Sequence, residues 1–184
     1  MNVSGDRDFQ APREIVWRVM NDPAAMAKTM PGVESFDVHD DRHWTANVKI
    51  PLGLGGLKMK VDMEKVEERE PEFAKMAIKG NGVGAVMNME TSFTLSDADA
   101  GATSMAWSAE VKILGPVGSM GQRVLQPIVN QQVQHVLGAL DQQVQAAVAG
   151  GGEPATHGAE EGISPGSPQA YEADPEGPTT STED

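Results

Sequence analysis

The chain has 184 residues, no cysteine, and 27 acidic against 14 basic side chains, a net charge of −13 at pH 7. This excludes a disulfide framework and a thiolate metal site, and it argues against nucleic acid as a partner, because phosphates demand clustered Lys and Arg. No Lys or Arg follows Gly150, where eight acids accumulate, so the charge divides as −5 over residues 1–149 and −8 over residues 150–184. That acidic, Gly/Pro-rich tail buries too little apolar surface to offset its ordering entropy and is expected to be disordered. Residues 1–149 are long enough for one domain that folds without staples.

In chain order, residues 2–10 read as a strand that ends before Pro12. Pro12 suits the first turn of a helix, where its missing N–H is not needed, and Ile15, Val16, Val19 and Met20 give the apolar stripe that follows. Asp22-Pro23 reads as an Asp N-cap with Pro at the next position, opening a second short helix to about Met30 before Pro31-Gly32 stops it.

Six more strands follow. A run at 33–38 turns at Asp40-Asp41. Trp44, Ala46, Val48 and Ile50 alternate with polar residues, and a Gly-rich connection over 51–56 leads to Leu57, Met59, Val61 and Met63. After a turn at Glu70-Pro71, the alternating positions are Met76 and Ile78, then Met87, Met89, Thr91, Phe93 and Leu95, then Met105, Trp107, Ala109, Val111 and Ile113. Period-two alternation joined by short turns is the mark of an antiparallel sheet with one wet and one buried face.

Beyond Gly115-Pro116 the period becomes helical. Val117, Gly121, Val124, Leu125 and Ile128 continue into Val129, Val133, Val136, Leu137, Leu140 and Val144, with Pro127 inside the run. One long helix over about 117–149, bent at Pro127, is expected. The fold class is therefore α+β: a seven-stranded curved antiparallel sheet gripping a long C-terminal helix, with two short helices after the first strand. One helix does not fill the hollow of a wide sheet, so a cavity is expected between them.

The buried face of that sheet is rich in methionine, an adaptable side chain suited to varied apolar partners. The expected lining is Met59, Met63, Met76, Met87, Met89 and Met105, with Phe93 and Trp107, faced by Val124, Leu125 and Ile128 of the helix. A polar head group needs one or two donors, for which Trp44, Gln122 and Arg123 are candidates. The plain alternative is that the methionines form an ordinary core.

Catalysis needs inward acid–base groups. Asp62, Glu64, Glu90 and Glu110 fall on the outward register, and His135 is the histidine with a chance of facing inside. There is no catalytic triad pattern, nucleophile elbow or metal spacing, so neither catalytic nor metal residues are assigned and no enzyme activity is expected. The carboxylates at 64, 67, 68, 70 and 72 read as a solvated hairpin or, less simply, as a dock for a basic partner.

Ala11-Pro12-Arg13-Glu14-Ile15-Val16-Trp17, then Asn21-Asp22-Pro23, then Met30-Pro31-Gly32-Val33 resembles the opening of the carbon monoxide dehydrogenase G-subunit family, within the START-like helix-grip superfamily. The glycines at 80, 82 and 84, residues 103–107 and residues 115–123 are similar too, so the likeness covers roughly residues 2–145. The resemblance implies an accessory protein beside a molybdenum CO dehydrogenase. Its cavity would carry a respiratory quinone or similar lipid between membrane and enzyme, and the redox cofactors would belong to the partner. Two alternatives stand beside it: a scaffold for the dehydrogenase with an incidental cavity, and an enzyme of the same superfamily.

No secretory leader is visible and no window of about 18 apolar residues spans a membrane. Some members of the family end in an apolar or amphipathic segment, whereas residues 178–184 here are polar. The expectation is a cytoplasmic shuttle with transient, peripheral contact at the inner face of the cell membrane.

Overall fold

A computed structural model describes residues 1–52 and 56–151; residues 53–55 of the Gly-rich connection and the expected disordered tail beyond Gly151 lie outside the described residues. The elements are β1 (Asn2–Phe9), α1 (Arg13–Asn21), α2 (Pro23–Thr29), β2 (Val33–Val38), β3 (His43–Ile50), β4 (Leu57–Arg69), β5 (Phe73–Gly82), β6 (Ala85–Asp97), β7 (Thr103–Leu114) and α3 (Gln122–Ala149). The seven strands form one curved sheet in the order β1-β7-β6-β5-β4-β3-β2, every neighbour antiparallel. Because β1 and β2 are its two edges, the connection through α1 and α2 crosses the width of the sheet. All of this agrees with the expected class.

The local chemistry explains the elements. Pro12 stands just before α1, whose Val16, Trp17 and Val19 are buried. Asp22 caps α2 through a hydrogen bond from the Ala24 amide to its Oδ1 at 2.8 Å, with Pro23 first in the helix. In β4, Met59, Val61 and Met63 are buried and Lys58, Lys60, Asp62 and Glu64 are exposed, the wet-and-dry alternation of a one-sided sheet.

One expectation about the elements needs correction. The long helix begins at Gln122 rather than near 117, because Gly118–Met120 forms a 3-10 turn and Gly121 adopts φ +80°, a left-handed conformation that glycine allows. Strand β4 runs to Arg69, just before the expected turn at Glu70-Pro71, through a bulge between Lys65 and Glu67. Hydrogen bonding to β5 carries it through a stretch where apolar alternation has ended.

The core is concentrated where the second half of α3 meets the sheet. Phe9, Val16, Leu95, Met105 and Val144 are essentially inaccessible to solvent, and Leu140 joins them. Thr103 donates to the Ala11 carbonyl at 2.7 Å in the same buried region, so its hydroxyl is satisfied. A second cluster lies on β3 and β4, around Trp44, Ala46, Val48, Met59, Val61 and Met63.

Candidate functional site

A cavity of about 420 Å³ lies between the two clusters, within the range of roughly 300–1,000 Å³ usual for small-molecule sites. Its floor is the inward face of the sheet and its roof is one stripe of α3. Leu125, Ile128, Val129, Gln132, Val133, Val136 and Leu137 recur at steps of three and four, so all face the same way. The helix packs against α1 and α2 and, more lightly, β1. Over β3, β4 and β5 it stands away from the sheet, and the space remains.

Side-chain choice keeps that space open. Nine of the 11 methionines line it, so unbranched, adaptable side chains recur around its wall among the branched and aromatic ones. Gly80, near the C-terminal end of β5, is where the methionine ends gather: a Cβ there would stand 2.9 Å from the Met59 Cε and 3.2 Å from the Met87 Cε. Opposite Trp107, Gly5 leaves room for the indole, whose Cζ2 would meet a Cβ at 3.2 Å.

Most of the residues expected to line the cavity do so. Met59, Met63, Met76, Met87, Met89, Met105, Phe93, Trp107, Leu125 and Ile128 are all in its wall, as is Trp44. Val124 is not: it is 45% exposed, on the outer side of the helix. Gln122 and Arg123 are also exposed and border a separate shallow hollow with Gln126, Pro127 and Asn130, so neither reaches the cavity as a head-group donor. Arg123 and Val124 fall off the inward stripe through Leu125, Ile128, Val129 and Gln132, and Gln122, the first residue of the helix, is outside the cavity wall. His135 is exposed too, because the inward stripe passes through 132, 133, 136 and 137. The short helices also contribute Met20, Met26 and Met30, which sequence periodicity places on α1 and α2 without showing which wall they meet.

The wall holds few polar groups, and several lack partners. The indole N–H groups of Trp44 and Trp107 and the side-chain oxygen of Gln132 are buried without a hydrogen-bond partner, which costs free energy unless something occupies the cavity to meet them. The one ionisable side chain in the wall, among the described residues, is Lys65. It is 7% exposed and pairs with Glu68 at 2.9 Å. The expected outward carboxylates are outside: Asp62, Glu64, Glu90 and Glu110 are exposed. The cavity therefore holds an apolar body well and offers few groups that could move a proton.

Among the described residues, no cluster of metal-ligating side chains occurs and no helix is long and apolar enough to cross a membrane.

Residues 5–145 match the family of the carbon monoxide dehydrogenase G subunit (CoxG). Among solved structures, a conserved protein from Geobacillus kaustophilus superimposes with a TM-score of 0.75 at 19% identity, over 80% of this chain and 97% of that one. A START superfamily protein from Mycobacterium smegmatis gives 0.61 at 16% identity over 79% and 97%. The ZhuI aromatase/cyclase from Streptomyces sp. R1128 gives 0.63 at 14% over 83% and 99%. No curated protein matches at the sequence level. At these identities the structures share a fold with this chain, and that fold serves a catalyst in at least one of them.

Proposed function

The chain belongs to the carbon monoxide dehydrogenase G-subunit (CoxG) family, and from that premise we propose that it is a carrier. Its cavity takes a respiratory quinone or a similar lipid from the bilayer and presents it to a molybdenum CO dehydrogenase. The observation that carries this reading is the methionine-walled cavity under the first half of α3. Flexible thioethers follow a branched hydrocarbon tail, and the apolar surround excludes water from it. No redox centre is needed in this chain, because the electrons belong to the enzyme that meets the cargo.

The scaffold alternative rests on the carboxylate-rich hairpin. There, however, Glu67 and Glu68 stand within 4.0 Å of Arg69 and Lys65, and Glu64 and Glu72 stand within 4.0 Å of His43 and Arg13, which they share with Asp40 and Asp97. That leaves less charge to recruit a basic protein.

The test is direct. Native mass spectrometry of the purified full chain, followed by organic extraction, should recover a bound lipid or quinone. Adding a short-tailed quinone at 100 times its dissociation constant should stabilise the fold by about 2.7 kcal/mol. An empty protein whose melting temperature ignores added quinone would overturn the carrier reading.

A further inference from the structure

We propose that Lys65 and Trp44 form the recognition end of the cavity and take an uncharged carbonyl oxygen at the tip of an otherwise apolar ligand. This rests on the carrier reading, since a head group is recognised only if a ligand enters.

The placement comes from the sheet. Met59, Val61, Met63 and Lys65 occupy successive inward positions of β4, so Lys65 faces the cavity although its neighbours in sequence are charged and exposed. Trp44 lies opposite Met63 in the β3–β4 register, one inward step from Lys65. The ammonium is 5.9 Å from the centre of the indole, so the two polar groups share one end of the cavity.

The site is held rather than incidental. The bulge between Lys65 and Glu67 falls at this point, and bulges often re-aim a side chain. Arg42 fixes the bulge: its Nε and Nη2 donate to the Lys65 carbonyl at 3.0 and 2.8 Å, and Nη2 also donates to the Val66 carbonyl at 3.2 Å. Glu68 holds the ammonium from one side at 2.9 Å. Trp44 is 7% exposed and its N–H has no acceptor.

The donor set selects the ligand. An ammonium carries N–H donors only, and so does an indole, so the matching ligand atom is an acceptor. Lys65 and Glu68 already form a neutral pair. A second carboxylate would leave one uncompensated negative charge against an apolar wall, which is costly. A ketone or quinone oxygen meets both donors and adds no charge. The other unpartnered groups in the wall, Trp107 Nε1 and Gln132 Oε1, are one donor and one acceptor; the cation on that side, Arg7 of β1, is outside the wall and pairs with Asp141 at 3.2 Å.

The experiment titrates the full-length protein with three probes. These are a 1,4-naphthoquinone bearing one isoprenyl unit, an alkylnaphthalene of similar size without oxygen, and myristate. Lys65→Met and Trp44→Phe should each raise the Kd for the naphthoquinone roughly tenfold and leave that of the hydrocarbon within about twofold. Wild-type protein should prefer the naphthoquinone to myristate. Urea unfolding checks that the variants fold; if Lys65→Met does not, Trp44→Phe, which keeps an aromatic ring, carries the test. Unchanged naphthoquinone affinity in a folded variant overturns the proposal. So does a loss confined to Trp107→Phe and Gln132→Leu, or a preference for myristate. Wild-type protein that binds none of the probes overturns the carrier reading itself, whereas binding that ignores Lys65 and Trp44 overturns only this inference.

Discussion

Toward its C-terminus, α3 buries Leu140 at 3% exposure and Val144 at 0% against Phe9, Val16, Leu95 and Met105. Two turns and more upstream, Ile128, Val129 and Gln132 of the same helix look across open space at Met76, Met87 and Met89. One rod against one sheet thus gives a packed region and an open one. The difference lies in what faces it: α1, the Phe9 end of β1 and the Leu95 and Met105 ends of β6 and β7 supply side chains that pack with the helix, while β3, β4 and the Met87–Met89 end of β6 border the open space. Packing thus loosens along the helix, with Leu140 and Met105 at the boundary, since both belong to the core and also line the cavity.

The largest effect should come from the packed region. Leu140→Ala is expected to cost about 2–5 kcal/mol in urea unfolding, because it leaves a void that its neighbours do not fill. Ile128→Ala, half-buried beside space that already exists, should cost about 1 kcal/mol. Equal costs would mean that the helix is packed alike along its length.

Next comes Met89→Trp, which places a large ring in the open region. It should abolish binding of the naphthoquinone probe while changing stability by about 1 kcal/mol or less, because the ring enters volume that is already free. Retained binding would show that the ligand sits elsewhere. Gly80→Ala is a gentler form of the same change. Its methyl would press on the mobile ends of Met59 and Met87, which can swing into the cavity, so binding should weaken a few-fold with stability nearly unchanged.

The smallest effect belongs to Asp40 in the β2–β3 turn, an exposed side chain one step removed from the cavity through Arg42, which holds the Lys65 bulge. The Asp40 carboxyl lies below the usual carboxylate range, first because the Arg42 amide donates to it and then because the His43 side chain does. A carboxyl whose folded pKa is lowered contributes stability that is present above its ordinary value and is lost as pH falls through the folded one. Asp40→Asn should therefore cost a little stability at pH 7, a cost that fades as pH falls through the lowered folded pKa, with ligand affinity unchanged as long as Arg42 keeps its contacts to Lys65 and Val66. A change in binding would show that Asp40 positions Arg42 and, through it, Lys65.

Much of the open region is legible in the sequence, because period-two alternation at 44–50, 57–63, 87–95 and 105–113 states which side chains share a face. The count of strands and the methionine wall follow from it. What escapes is whatever depends on where a pattern is interrupted. Alternation of apolar residues ends at Met63, so Lys65 reads as part of a charged hairpin; only the parity of 59, 61, 63 and 65 points inward. The start of α3 depends on the backbone of Gly118 and Gly121, which apolar periodicity does not report, and the cavity begins only with Leu125, so Gln122, Arg123 and Val124 stay outside its wall. Trp44 is found by either route, since it lies in a regular strand.

The wall of thioethers has a chemical consequence. Oxidants convert methionine to its sulfoxide, a polar and chiral group, and each such conversion would turn a patch of greasy lining into one that attracts water. A protein handling oxidisable cargo in air would lose its grip gradually, one sulfur atom at a time, with the packed end of α3 still holding the fold together. Mass increments of one oxygen on Met76, Met87 or Met89 should therefore accompany fading affinity before any fall in melting temperature.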